Sequence, residues 1–578
     1  MVANNEYRTH LLFMVAFCPP MQKNSSPIPI RFPGGSAGIG KNIALSGGDA
    51  EKEELGSSDP GVSLWGIFPL GGFRTGGESL VLAKRGLLRG LRNCHDGPML
   101  KPHRHLFALF AIVSATVMVP PTAAAAEPVA LGSRTELLVD DWLIDSTLSP
   151  GSVGLRLQTP IRREVVLVTD KPWEGPDSAY YTVFQDGPLV RLYYRGMVPG
   201  GADTSIGQVT CYAESTNGVH FTRPNLGIVE FEGSKENNII YRGLEAHNFA
   251  PFRDSNPAAK PEERYKALAG VLSKLYAFTS PDGIHWRKLQ QEPVMTKGDF
   301  DSLNLAFWDV ETRNYRCFSR YGDGGVRSVQ SCTSTDFIHW VDPTPNRYPK
   351  TAPKEHLYTN GTRPSPNAPH IYLSFPKRFV PERKKFADYK EMGVSDALFL
   401  SSRDGVNWDR TFLEAWVRPG PDRRNWTQRS NMPAWGIVQL DPGEFSMYIS
   451  EHYEWPDNRL RRITVRRDGF ASAHAGAAGG EFTTRPVTFT GRSLILNYAT
   501  SAAGSVQVEI LDEAGKPVQG KALGDMPPLF GDELDAVVSW NSGSDLSSLI
   551  GKPVRFRFLL KDADLFALRT GTVPAADK

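Results

Sequence analysis

From about residue 127 to residue 470 the chain alternates short apolar runs with Gly/Asp-rich breaks, and no stretch carries the 3.6-residue periodicity of a long amphipathic helix. The pattern predicts many short β-strands. Tyr315–Tyr321 and Val326–Cys332 flank Asp323-Gly324-Gly325, a two-residue glycine turn that pairs Asp323 with Val326 and, counting outward, sets Cys317 opposite Cys332. After Asp468 the tone changes. Ala471–Gly480 reads as a small-residue linker, and Phe482–Phe489, Ser493–Tyr498, Ser505–Leu511, Asp535–Trp540 and Val554–Leu560 read as strands separated by turns.

A short pattern recurs through the first of these regions. It reads Ser215-Thr-Asn-Gly-Val-His-Phe221, Ser280-Pro-Asp-Gly-Ile-His-Trp286, Ser334-Thr-Asp-Phe-Ile-His-Trp340 and Ser402-Arg-Asp-Gly-Val-Asn-Trp408, with a worn fifth copy at Arg466-Arg-Asp468-Gly469-Phe470. The copies lie about 55 to 70 residues apart, close to the length of a four-stranded propeller blade with loop insertions. Asp or Asn bonds its own backbone two residues on, and Gly accepts the positive φ of a tight turn, so each copy predicts a turn between two strands of a blade. The closing aromatics (Phe221, Trp286, Trp340, Trp408 and Phe470) are expected to pack between blades rather than to form a row of sugar platforms. The fold expected is all-β: a five-bladed β-propeller over residues 127–470 followed by a β-sandwich over 471–578.

The N-terminal part follows a different logic. Lys101 and Arg104, the apolar run Leu106 to Val119 and the segment Pro-Pro-Thr-Ala-Ala-Ala-Ala126 form the three parts of a secretory signal over residues 99–126. The apolar run is too short to span a bilayer. Residues 1–98, rich in Gly, Ser and Pro, read as a non-native extension upstream of the signal, the alternative being a disordered leader with an uncleaved anchor. Export predicts a secreted or periplasmic protein with no stable membrane insertion after signal cleavage. Three of the five cysteines, Cys211, Cys317 and Cys332, follow the signal; Cys317 and Cys332 are expected as neighbours, bonded or not, and Cys211 as a buried apolar residue. A net charge of +2 over 578 residues gives no case for a nucleic-acid partner.

The repeat, its five copies and the trailing sandwich resemble the five-bladed glycoside hydrolases of families 32, 43, 62 and 68, family 32 above all, because its members add a C-terminal sandwich. The phrases Val139-Asp-Asp141 and Phe300-Asp-Ser302 are similar to those of exported bacterial family 32-like proteins. The Trp-x-Asn-Asp-Pro start of family 32 is absent. Sialidases carry a similar repeat with one more residue between Asp and Gly. The resemblance implies an O-glycosidic hydrolase using three carboxylates near the central channel, with an oligo- or polysaccharide as partner and no cofactor or metal; the alternative is a catalytically silent carbohydrate-binding propeller.

The internal repeat locates the candidates. Phe184-Gln-Asp186, Phe252-Arg-Asp254, Phe307-Trp-Asp309 and Leu440-Asp441 fall at one place in four blades, just before the second strand, which makes Asp254 a repeated turn residue although Arg253-Asp254 echoes a family 32 signature. The channel mouth then lies at the opposite end, at the starts of the innermost strands, with the blade 4 strand read as Ile371–Phe375. These starts nominate Asp177 as nucleophile or base, Asp301 as stabiliser and Glu355 as acid, in the order that the resemblance implies, with Asp140 and Asp141 competing for the first role. Glu174, His247, Asn248, Asn304, His356, Arg363, Asn367 and Arg429 are the expected substrate-binding residues. Neither histidine has a second His or a Glu at ligand spacing, which argues against a metal.

Overall fold

The computed structural model describes residues 127–198 and 207–572, so the signal and the upstream extension lie outside the described residues. Five antiparallel sheets follow one another along the chain. Blade 1 holds Ala179–Asp186, Leu189–Met197, Gln208–Ser215 and Ile239–Arg242; blade 2 holds Ala250–Arg253, Tyr265–Val271, Lys274–Ser280 and Arg287–Lys288. Blade 3 is Leu305–Asp309, Asn314–Asp323, Val326–Ser334 and Thr344–Pro345. Blade 4 is Arg363–Pro364, Tyr372–Ser374, Leu400–Ser402 and Trp408–Asp409, extended by a second sheet of His356–Thr359, Lys377–Val380 and Val394–Ala397. Blade 5 takes Val438–Asp441, Glu444–Glu451 and Arg459–Arg466 from late in the chain. Its outermost strand, Ile161–Val168, comes from the beginning and pairs antiparallel with Arg459–Arg466. That pairing ties the ring shut, and a parallel bridge from Thr182 to Trp435 joins blades 1 and 5 at its centre.

The recurring turns do the work expected of them. Ser215, Ser280, Ser334 and Ser402 each accept through Oγ from the backbone N–H three residues on, at 2.9 Å in every copy. The third residue, Asn or Asp, accepts through Oδ1 from two further N–H groups, as Asp282 does from Ile284 at 2.8 Å and His285 at 2.9 Å. Three copies use glycine at the left-handed position; in blade 3 Phe337 adopts φ 70° there, paid for by a fully buried ring. Each turn docks on the preceding blade: Tyr448 of blade 5 donates to Gly218 O at 2.7 Å, Tyr193 of blade 1 to Gly283 O at 3.0 Å, and Ser331 of blade 3 to Gly405 O at 3.1 Å. The aromatics pack between blades as expected, Trp286 lying 6.5 Å from Tyr193 and 5.1 Å from Phe249, centroid to centroid.

A second repeated device was half visible in the sequence. Asp186, Asp254 and Asp309 each accept from the tyrosine hydroxyl of the next blade's second strand: Tyr265 at 2.6 Å, Tyr315 at 2.6 Å, and Tyr372. Each also holds a cation of its own blade, Arg191 at 2.7 Å, Lys266 at 2.7 Å and Arg316 at 3.3 Å. Asp254 is therefore a staple between blades 2 and 3.

The sandwich departs from the expected boundaries. Val129–Gly132 runs parallel to Val487–Phe489, Glu136–Leu137 pairs with Arg555–Gly571, and Gly154–Leu157 pairs with Ala471–Ala475, so the residues just after position 127 belong to the sandwich sheets and not to the propeller. The expected linker from Ala471 begins as a strand. Ala471, Ala473 and Ala475 alternate inward, at most 1% exposed, where only a small side chain fits between packed sheets. Two long strands, Ser493–Leu511 and Arg555–Gly571, form the spine around a core that includes Leu496, Val508, Trp540, Phe556 and Phe558. Cys317 stands opposite Cys332, as the turn requires; both are free thiols, as is Cys211, and all three are buried.

Candidate functional site

The innermost strands all start at one end of the channel. In an antiparallel blade the end of the second strand lies beside the start of the first, so both ends supply side chains to that mouth. Blade 1 gives Asp177 and Tyr180 before and at its first strand, and Arg195 near the end of its second, where Arg195 pairs with Ala179. The register slips between Ala179 and Thr182, and this bulge puts Tyr180 at φ 57°. Blade 2 gives His247 from the 3₁₀ turn Leu244–His247. Blade 3 gives Asp301, Arg320 and Arg327; blade 4, Tyr358 and Lys377; blade 5, Arg429, Tyr453 and Glu454. Asn431, at φ 62°, and Glu454, at φ 66°, also occupy the left-handed region.

Hydrogen bonds join these groups. Arg195 donates through Nη2 to Asp177 O at 2.7 Å and Tyr453 OH at 3.4 Å, and its guanidinium stacks over the Tyr180 ring at 4.8 Å. His247 lies with Nδ1 2.8 Å from Gln208 Oε1 and 3.3 Å from Arg195 Nη1, and with Nε2 3.1 Å from the Asp301 carbonyl. The Asp301 carboxylate takes Arg320. Arg429 donates to Tyr453 OH at 2.7 Å. Glu454 accepts from Tyr389 OH at 2.5 Å and Gln428 Nε2 at 3.0 Å, while its backbone N–H donates to Pro176 O at 2.8 Å, next to Asp177.

The electrostatics of the mouth are uneven. Burial holds the Glu454 carboxyl above the usual range, and the Asp177 charge adds to the effect, against the opposing pull of Tyr389 and Lys390. Burial alone would raise the Tyr358 hydroxyl, but Arg429, Arg320 and Arg327 outweigh it and bring it below its ordinary value. Lys377 is driven well below its ordinary value by burial and by the same three arginines.

Of the sequence-nominated residues, the structure gathers Asp177, Asp301, His247 and Arg429 at this mouth. His356 sits at its edge, accepting the Arg327 N–H at 3.1 Å. The others lie elsewhere. Glu355 faces the opposite side of the strand that carries Tyr358, because side chains alternate; it is held by Arg378 at 2.9 Å and Arg410 at 2.8 Å in a cleft of about 670 Å³ that also contains Asp396 and Trp426. Glu174 is fully buried on Tyr194 and Arg223. Asn248 braces Gly270 O and Phe300 O, and Asn304 bonds Phe300 O and Ser302 O; both are 0% exposed. Asn367 bonds Asp468 at the other end of blade 4. Asp140 is bound by Arg403 at 3.0 Å against the sandwich, and Asp141 lines the same surface. Arg363 and Asn367 are misplaced for a different reason: the innermost strand of blade 4 is Arg363–Pro364, and Tyr372–Ser374 is the second strand, so the expected start was one strand too late. Two strand residues are too few to show an alternation.

Sequence reasoning missed Tyr180, Arg195, Arg320, Arg327, Tyr358, Lys377, Tyr453 and Glu454. A signal existed: Tyr194-Arg195 and Ser319-Arg320 occupy equivalent late positions of second strands, beside the first-strand starts.

The far end of the channel holds a cavity of about 520 Å³ lined by Phe252, Asp254, Phe307, Trp308, Arg363 and Trp435. Its carboxylate, Asp254, is committed to Lys266 and Tyr315, so this cavity has room but no free acid or base. Among the described residues no His/Cys/Asp/Glu group could hold a metal ion, and no helix is long and apolar enough to cross a membrane.

No family model matches the chain. Two Mycobacterium tuberculosis proteins, from strains CDC 1551 and H37Rv and each described as an uncharacterized protein, are 25% identical over 140 residues, which is 24% of this chain and 41% of theirs. The similar solved structures are glycoside hydrolases and related carbohydrate-active proteins at low identity. A fructofuranosidase from Schwanniomyces occidentalis in complex with fructosylnystose is 12% identical, with a TM-score of 0.31, over 74% of this chain and 99% of its own. A β-1,2-mannobiose phosphorylase from Listeria innocua is 12% identical, with a TM-score of 0.36, over 54% and 98%. An N-acetylgalactosamine deacetylase from F. plautii is 13% identical, with a TM-score of 0.37, over 55% and 96%. The fold assignment rests on the sheets described above.

Proposed function

We propose that this protein is an exported glycoside hydrolase-like enzyme that cleaves O-glycosidic bonds of an oligo- or polysaccharide at the strand-start mouth of its propeller. One observation carries the reading: Arg195 and His247 bridge the backbone carbonyls of Asp177 and Asp301, and the Asp177 carboxylate lies close enough to Glu454 to help raise its pKa. Glycoside hydrolysis needs a carboxylate to attack the anomeric carbon or activate water and a protonated acid to give its proton to the leaving oxygen. Asp177 fits the first role. Glu454, held protonated to higher pH than an ordinary glutamate, fits the second in place of Glu355, whose carboxylate is spent on two arginines. Asp301, fixed by Arg320, is the stabilising carboxylate.

The second reading, a propeller that binds carbohydrate without turnover, draws on that same pair, since a carboxylate already neutralised by a guanidinium is a poor stabiliser of developing positive charge. A panel of neutral and acidic oligosaccharides separates the two. Release of reducing ends by the wild type, lost about a hundred- to ten-thousandfold in Asp177→Asn and Glu454→Gln, supports hydrolysis. Binding without any release supports the second reading, and turnover that survives both substitutions removes this site.

A further inference from the structure

Four cationic side chains crowd one aromatic ring at the mouth. Arg320, Arg327 and Arg429 lie 5.2, 5.0 and 5.9 Å from the Tyr358 ring centroid, and Lys377 Nζ lies 3.6 Å from it. Several other buried or half-buried arginines of this fold are matched by carboxylates: Arg403 by Glu136 and Asp140, Arg459 by Glu451 and Asp422, Arg378 by Glu355 and Asp396. Here the matching stops. Among the described residues Arg327, Lys377 and Arg429 make no ion pair, and Arg320 has only Asp301. Lys377 is 0% exposed and its ammonium donates to a single backbone carbonyl, Gln428 O, at 3.2 Å. Arg320 Nε and Nη1 and Arg429 Nε are buried with no hydrogen-bond partner.

Burying like charges together is costly unless an opposite charge or a full set of acceptors compensates them. Contacts with one aromatic ring offset only part of that cost. The remaining donors are the guanidinium and ammonium groups that match the oxygens of a carboxylate or a sulfate. A nucleic acid is a poor fit: the cations line one confined mouth, and the chain's net charge is only +2.

We propose that the mouth binds a sugar residue carrying an oxyanion, a uronate carboxylate or a sulfate ester, on the half-buried Arg327 and Arg429, with Arg320 and the buried Lys377 adding positive charge around the Tyr358 ring behind them. This rests on reading the mouth as a carbohydrate site. The charged ring would sit beside Asp177 and Glu454, so the acidic residue of the glycan neighbours the bond to be cleaved.

The test is calorimetric binding of the full-length protein to three matched sets: neutral oligosaccharides, oligouronides of the same linkage, and sulfated counterparts. Each is measured at low salt and with 0.5 M NaCl, alongside Lys377→Met and Arg327→Gln. The expected result is at least tenfold tighter binding of an acidic set than of the neutral one, a gap that narrows with salt and falls at least tenfold in the variants. Thermal unfolding of the variants shows that they fold, and Lys377→Met, which removes a buried amine held by a single hydrogen bond, is expected to melt no lower than the wild type. Preference for the uronide or the sulfated set identifies the source of the oxyanion. Equal or better binding of neutral glycans overturns this inference and leaves the carbohydrate reading standing; an acid preference unchanged in both variants overturns the assignment to this cluster. Binding of no glycan at all overturns both.

Discussion

Asp177 and Asp254 are both aspartates beside the central channel, and their surroundings give them opposite work. Asp254 is saturated by Lys266 and Tyr315 inside the wall. Asp254→Asn strands the buried Lys266 ammonium and is expected to cost about 3 to 5 kcal/mol in chemical denaturation, with turnover per folded molecule unchanged. Asp177→Asn is expected to do the reverse: denaturation midpoints close to wild type and a large loss of turnover. Glu454 supplies a pH signature. As the acid it works only while protonated, so activity falls as pH rises through its folded-state pKa, which burial places above the usual carboxylate range. The Tyr389 hydroxyl stabilises the ionised form; Tyr389→Phe is therefore expected to move the basic limb of the pH–kcat profile to higher pH, and a limb that stays in place removes Glu454 from the acid role. At this scale the sequence was only partly legible. Asp177, Asp301, His247 and Arg429 could be found because they sit at the ends of readable strands. Lys377 and Tyr358 could not, because their convergence depends on a second blade 4 sheet formed by three strands of only four residues each.

The repeated turns and staples belong to the scale of the element. Local chemistry dictates the Ser-x-Asp turn almost completely, which is why the copies are legible in the sequence and why the four that carry the serine repeat the same hydrogen bonds. The tyrosine half of the interblade staple was not legible, since Tyr265, Tyr315 and Tyr372 act on the blade before their own. Tyr265→Phe and Tyr315→Phe each remove one donor from a buried carboxylate that keeps its cation. Each is expected to cost about 1 to 3 kcal/mol by equilibrium unfolding, and a cost near zero would show that the staple does not hold the blades. The strand Ala471–Ala475 was missed for a different reason: alanine and glycine carry little strand preference, and only packing against Gly154–Leu157 and Arg555–Gly571 makes the segment extended.

For the whole molecule, ring closure and domain attachment both depend on residues soon after position 127. Ile161–Val168 completes blade 5, and Glu136, fully buried, holds Arg403 and His370 of blade 4. Burial opposes ionisation of Glu136, but His370 and Arg403 outweigh it and bring its pKa from 4.5 to about 2. A depressed folded-state pKa adds stability above the unfolded value, and that stability is lost as pH falls from about 4.5 towards 2, up to about 3 kcal/mol in all. Glu136→Gln is expected to flatten this acid limb in urea titrations, whereas an unchanged limb would place the acid sensitivity elsewhere. The opposite ends of the channel offer the sharpest contrast in the molecule, one crowded with carboxylates and unmatched cations, the other roomy and chemically committed. The most direct measurement is an experimental structure of the protein with an oligosaccharide from the panel bound. The account predicts sugar density at the strand-start mouth, within hydrogen-bonding reach of Arg429 and Asp177. Density confined to the cavity between Phe252, Trp308 and Trp435, with the mouth empty, would contradict it.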